Sequence, residues 1–282
     1  MLTAVTLPDL DRATELLAEG FPARTRAFWR TSLARLVQAG GNSAAEYPLG
    51  FFLMENDEPV GVALTPASLR QRPGSEPQRV VNVSSLYVRP AHRWRAALML
   101  RKIVSEPGLI YTDLSPTADV RTMIATFGFK AVNLGVVMHV LPALALCRGR
   151  PATVSEWQAG EPLPAGSPPA TLIESHRALG CLPLIVDGKA GRTLLVMRPK
   201  RVRRLPATQA VYVGSHAALE PHLPTLARHL LGRGLLVAQI DCRSEAGTRN
   251  IGFRRNGLWF AKGSLFEDCT DHLGTELSLF DL

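Results

Sequence analysis

Only four cysteines occur in the 282 residues, Cys147, Cys181, Cys242 and Cys269, and none stands near another cysteine or a histidine at metal-ligand spacing. No metal site is expected from such scatter, and the thiols read as buried apolar residues of a reduced protein. The chain also lacks GxSxG, GxxxxGK[ST] and HExxH, and its seven histidines form no recognisable triad, so the common hydrolase, nucleotide and zinc-protease motifs are absent. Aromatic residues are 6% of the chain, and none interleaves with the densest basic run, Arg198 to Arg204. The sequence thus argues against a nucleic-acid partner. The longest apolar stretch, Val132 to Cys147, contains Asn133, His139 and Pro142 and is shorter than the roughly 20 residues a bilayer span needs. It reads as a buried strand and connector. The amino terminus enters an amphipathic, acidic pattern instead of a charged-then-apolar leader, which reads as a cytoplasmic protein with no transmembrane segment.

What is present is apolar and basic. Hydrophobic residues make up 46%, enough for a sizeable core, and the length favours two domains. A net charge of +8 and a pI near 9.8 favour anionic partners: a phosphorylated cofactor, an acidic carrier protein, nucleic acid or a membrane surface.

Leu10, Ala13, Leu16 and Leu17 form one helical stripe between Asp9 and Gly20. A second amphipathic stretch runs from Arg24 to Gln38, with Trp29 read as packing. Two apolar runs flank Glu55-Asn56-Asp57-Glu58 as a hairpin. "RVVNVSSLYV" predicts one further strand, Ala96 to Val104 a helix, "GLIYTDLS" a strand, "ADVRTMIATFGF" a helix stopped at Gly128, and "KAVNLGVVMHVL" a final strand. The second half repeats the plan: a hairpin turning at Asp187-Gly188, then strand, helix and strand, then "TRNIGFRRN". Tyr87 to Gly128 is 41 positions and Tyr212 to Gly252 is 40, which predicts a degenerate tandem repeat. The predicted bounds are 1–147 and 169–282, joined by a Pro- and Gly-rich linker over 148–168.

Between the strand ending at Val88 and the helix opening at Ala96 lies a basic turn. Backbone N–H groups at a helix start, with Arg93 and Arg95 added, suit a pyrophosphate. Cations there oppose the helix dipole, which points to an anion nearby.

"LYVRPAHRWRAALML" resembles the strand end and Arg/Gln-x-x-Gly-x-Gly/Ala loop of the GCN5-related N-acetyltransferases, the acyl-CoA N-acyltransferase superfamily, and "TMIATFGFKAV" resembles the helix and Gly-Phe that close their acyl-CoA site. The resemblance covers about residues 1–145. It implies an α/β (α+β) fold with two mixed-sheet domains of this kind in tandem, acyl-CoA or acetyl-CoA as co-substrate, no metal, and transfer of the acyl group to a small-molecule or peptide amine. It places the pantetheine arm along the backbone of Leu86, Tyr87 and Val88, and the pyrophosphate on Arg93, Trp94, Arg95, Ala96 and Ala97. Trp94, Ala96 and Leu98 stand where glycine or alanine is usual. The superfamily's upstream carboxylate falls among Asn82, Ser84 and Ser85, and its acid tyrosine at Ile124. Asp113 is left as the candidate proton acceptor and Ser84 as the candidate carbonyl polariser. An acyl carrier protein as donor, and a catalytically silent binding protein of the same fold, are the alternatives.

Overall fold

The structure is a computed structural model, and it describes residues 1–40, 47–70, 76–243, 252–255, 257–263 and 268–280. It divides into two compact units. Unit 1 comprises Met1–Lys130, Trp259–Leu265 and Gly274–Leu282, and unit 2 comprises Ala131–Leu258 and Phe266–Leu273.

In unit 1 the amphipathic stripes become α1 (Leu10–Gly20) and α2 (Arg26–Gly40). Trp29 is 3% exposed and packs edge-on against Phe28 and Phe280, so it is a core residue. Four strands, β1 (Leu2–Ala4), β2 (Gly50–Glu55), β3 (Glu58–Leu64) and β6 (Ser84–Val88), form an antiparallel sheet in that order. A second sheet pairs β4 (Ala67–Arg70) with β5 (Gln78–Asn82), β5 in parallel with β7 (Ile110–Asp113), and β7 with β16 (Phe260–Lys262). Helix α3 (Ala96–Ile103) buries Met99, Leu100 and Ile103 against Val81, Val88 and Tyr111, and each such side chain contributes roughly 1.5–3 kcal/mol. Helix α4 (Ala118–Ala125) starts at Thr117, whose hydroxyl accepts from the Val120 amide. The two-residue strand β8 (Lys130–Ala131) marks the passage of the chain out of unit 1.

The strand expected over "RVVNVSSLYV" is thus two. β5 stops at Asn82 and β6 starts at Ser84, and Ser85 holds a left-handed φ of 52°, a conformation a Cβ-bearing residue adopts at a cost. That kink sends the two halves of one run into different sheets.

Unit 2 is built on β9 (Val136–Val140), β10 (Ala152–Glu156), β11 (Leu182–Gly188), β12 (Gly191–Val202), β13 (Leu205–Val213), β14 (Val237–Asp241) and β15 (Gly252–Arg255). They lie in the order β10-β11-β12-β13-β14-β9-β15, with β17 (Thr270–Asp271) also on β13. Among the described strands of this sheet, only β13 and β14 run parallel. Helices α5 (Leu141–Ala145) and α8 (Leu223–Leu231) cover one face through Leu141, Leu144, Leu226 and Leu230. Trp157 and Ile173, the latter on α6 (Ala170–Ala178), pack with Val196 and Leu273 in a second cluster.

This division differs from the bounds 1–147 and 169–282. The expected linker contains an edge strand, β10, paired with β11. "VVMHV" completes unit 2, as β9 beside β14, and not the first half that precedes it. Conversely β16, from late in the sequence, completes unit 1 beside β7. The hairpin expected to turn at Asp187-Gly188 turns instead at Lys189-Ala190, with Gly188 facing Gly191. "TRNIGFRRN" lies partly outside the described residues. Of the four cysteines, Cys181 and Cys242 are buried, Cys147 and Cys269 half-buried, and none forms a disulfide.

Candidate functional site

The parallel pair β5/β7 ends at the register Asn82↔Thr112, with one more bond from the Val83 amide to the Thr112 carbonyl, 2.7 Å. Beyond it the strands part. β6 pairs with β3 alone and is the last strand of its sheet, so its outer backbone edge has no strand partner among the described residues. Leu86, Tyr87 and Val88 lie on that edge. The Tyr87 hydroxyl donates to Glu19, 2.8 Å, and its ring covers Gly20, where a Cβ would sit 2.2 Å away. Glycine is required there by contact. Arg89 closes the same carboxylate at 3.1 Å.

Ser84 and Asp113 stand on either side of the parting, 5% and 8% exposed. A third residue joins them. Glu276, 4% exposed, opens the short helix α9 (Glu276–Leu279) and takes short hydrogen bonds from the Ser84 hydroxyl and from the Ser115 hydroxyl, 2.6 Å. Its amide donates to the Asn82 side chain at 3.4 Å. Arg35 reaches the Leu279 carbonyl at 3.3 Å, and Phe280 packs on Trp29; the segment is fixed at both ends. Asp113 accepts from the Ser115 amide. Burial first, and then the Glu276 carboxylate, push the Asp113 carboxyl up to about 7. A second buried carboxyl nearby makes the charged form of Asp113 costlier than burial alone would.

The basic turn folds as a 3-10 segment, Pro90–Arg95, leading into α3. Arg95 bends onto Glu55, 2.5 Å from its Oε2 and 3.4 Å from the Met54 carbonyl, and His92 meets the same carboxylate at 2.8 Å. The anion expected to offset the cation at the helix start is therefore a side chain of the protein. Arg93 is exposed and makes no ion pair among the described residues. Trp94 is 73% and Leu98 50% exposed, while Ala96 and Ala97 are half-buried in the first turn of α3. Ile124 is a core residue, 0% exposed, so no acid replaces the usual tyrosine there.

Unit 2 carries a polar cluster of its own. Asp241, the last residue of β14, accepts from the Thr270 hydroxyl and the His272 Nε2, each at 3.2 Å. His216, which opens the one-turn helix α7 (His216–Leu219), has its Nε2 2.9 Å from the same hydroxyl. Burial pulls His216 down to about 4, so it is neutral. β17 occupies the edge of β13 just past its parallel pairing with β14, at Tyr212 and Val213.

Glu276 was not legible in the sequence: it is 192 positions from Ser84, and only a lone acid within the apolar run "LGTELSLF" marks it. No described group of His, Cys, Asp and Glu is arranged to hold a metal, and no described helix is long and apolar enough to cross a membrane.

The fold is that of the GCN5-related N-acetyltransferases. A GCN5-related N-acetyltransferase from Anabaena variabilis superposes with a TM-score of 0.61 at 10% identity, over 93% of this chain and 72% of that one. One from Kribbella flavida gives 0.56 at 14%, over 93% and 70%. A putative acetyltransferase from Pyrococcus horikoshii gives 0.55 at 12%, over 98% and 93%. No family model and no curated protein sequence matches the chain.

Proposed function

We propose that the chain is an acyl-CoA-dependent N-acyltransferase whose site is the parting of β5/β6 from β7 in unit 1. The observation that carries this reading is the coincidence of an open strand edge with a buried carboxyl pair at the point where the strands separate. The donor's pantetheine amides pair with the free edge at Leu86, Tyr87 and Val88, as an added strand would. Its phosphates meet Arg93 and the start of α3 at Ala97, the Ala96 amide being held by the Arg93 carbonyl. Arg95 acts through Glu55 to hold the turn, and Trp94 and Leu98 replace the approach that glycine would allow.

Chemically, the amine must lose a proton before it attacks. Asp113, with a pKa near neutrality, is matched to accept it, since a general base works best with a pKa close to the working pH. Glu276, fixed by two hydroxyls, adds negative charge where an ammonium arrives and a proton departs. Ser84, tied to Glu276, positions that carboxylate. The nitrogen–carbon bond forms, the carbon–sulfur bond breaks, and the proton taken by Asp113 is available to the leaving thiolate.

A carrier-protein donor has no observation in its favour, and the silent-fold reading leaves the buried pair without a purpose. Titration of the chain with CoA and acetyl-CoA, followed by turnover over a panel of small amines and peptides, tests the proposal. Glu276→Gln should bind CoA as the parent does and lose turnover about 100-fold or more. Absence of CoA binding in the parent refutes the donor assignment, and full turnover in Glu276→Gln refutes the role given to the Glu276 carboxylate.

A further inference from the structure

We infer that the β12–β13 hairpin of unit 2 is an arm that docks on anionic phospholipid surfaces. β11 accompanies β12 only as far as Met197, and β14 accompanies β13 only from Ala207. Residues 201–206 therefore continue as a two-stranded ribbon with no further strand beside them among the described residues. Arg201, Arg203 and Arg204 are exposed there and form no ion pair among the described residues, while Lys200 is turned onto Gln209 at 3.2 Å.

The turn itself argues that the arginines are wanted. Arg203 and Arg204 hold φ of 48° and 73°, the paired left-handed conformation that favours Asn-Gly. The β2–β3 hairpin meets the same demand with Asn56 and Asp57, at 48° and 64°, residues that tolerate it. Two arginines in that position cost conformational energy and place two guanidiniums at the very tip, in a geometry suited to phosphate oxygens.

The ribbon is also apolar at its end. Val202 faces Leu205 across the strands, and Leu205 is 45% exposed. A leucine beside cations matches the boundary between headgroup and hydrocarbon, where an apolar tip is buried and cations remain at the phosphates. A nucleic-acid backbone gives that leucine nothing to bury against, and the ribbon has no aromatic side chain for base stacking.

Sedimentation of the full chain with phosphatidylcholine vesicles, with and without phosphatidylserine, tests the assignment. Binding is expected only with phosphatidylserine and should fall as salt rises. Arg201→Glu/Arg203→Glu/Arg204→Glu should lose at least roughly 100-fold in affinity. Arg203→Asn/Arg204→Gly should raise the thermal midpoint, by relieving the turn, and still weaken binding roughly 30-fold. Leu205→Ser should weaken it about 3- to 10-fold at unchanged charge. Equal binding to both vesicle types, or full binding by the triple variant, overturns the inference. So does an unchanged affinity in Leu205→Ser, because charge alone would then suffice. Arginine-dependent capture of duplex DNA without vesicle binding overturns it in favour of a nucleic-acid arm.

Discussion

Both units contain a short parallel strand pair that ends in an acid, β5/β7 with Asp113 and β13/β14 with Asp241, but the space beyond each pair is used differently. In unit 1 the edge of β6 beyond Asn82 carries no strand among the described residues, and Asp113 keeps company with a second carboxyl. In unit 2 the edge of β13 beyond Gln209 is taken by β17, and Asp241 is satisfied by Thr270 and His272. The first arrangement leaves backbone groups and an acid with work to do; the second spends both on the protein itself. A likeness of strand order therefore does not carry a site with it. What decides is whether the chain fills its own gap.

The largest effects should separate the two acids. Asp113→Asn is expected to lower kcat by about 100- to 1,000-fold with little change in the CoA Kd. Asp241→Asn should leave turnover per folded molecule intact and cost about 1–3 kcal/mol of stability, because it disturbs hydrogen bonds made by a buried carboxylate. Steady-state kinetics and denaturant unfolding on the two variants check this, and equal kinetic losses would break the contrast.

A pH series sharpens it. Asp113 binds its proton more tightly in the folded chain, near 7, than at its ordinary value of 3.8. Stability is therefore fully present below about pH 4, falls as pH rises through that window, and stays lower above about pH 7. Asp113→Asn should then be more stable than the parent near pH 8, by up to a few kcal/mol, with this difference vanishing near pH 4. The parent's kcat should rise through about pH 7 as the base ionises, a step the variant lacks.

The smallest effects lie at the turn. Arg93→Glu should weaken CoA binding about 5- to 10-fold, since an exposed cation is screened by water. Arg95→Glu should instead lower the thermal midpoint slightly, because Arg95 is engaged with Glu55.

Much of this was legible in the sequence, for identifiable reasons. The helical stripe at Leu10–Leu17 and the turn residues Asn56-Asp57 announce elements whose forces are local. Asp113 and Ser84 entered as site candidates through the resemblance of the strands around them to the acyltransferase motifs, because the usual carboxylate and tyrosine positions hold Asn82, Ser84, Ser85 and Ile124. Glu276 did not, since its partners are made by tertiary packing. The break at Val83 was hidden because Ser85 adopts a left-handed conformation without being glycine or asparagine. Arg95 looked like a phosphate ligand because nothing local reveals that Glu55, 40 positions earlier, would reach it. The destination of "VVMHV" was equally hidden: a five-residue apolar strand carries no label for the edge it joins.

That exchange of strands has a consequence for biosynthesis. Unit 1 lacks β16 and Glu276 until residues 260–276 have emerged from the ribosome, so the first half of the nascent chain waits with the β7 edge unpaired and its carboxyl pair incomplete. Such long-range closure slows folding and leaves an unpaired edge exposed in the meantime. By the same token the carboxyl pair proposed as the reacting site does not exist until Glu276 has been made and packed against Ser84 and Ser115.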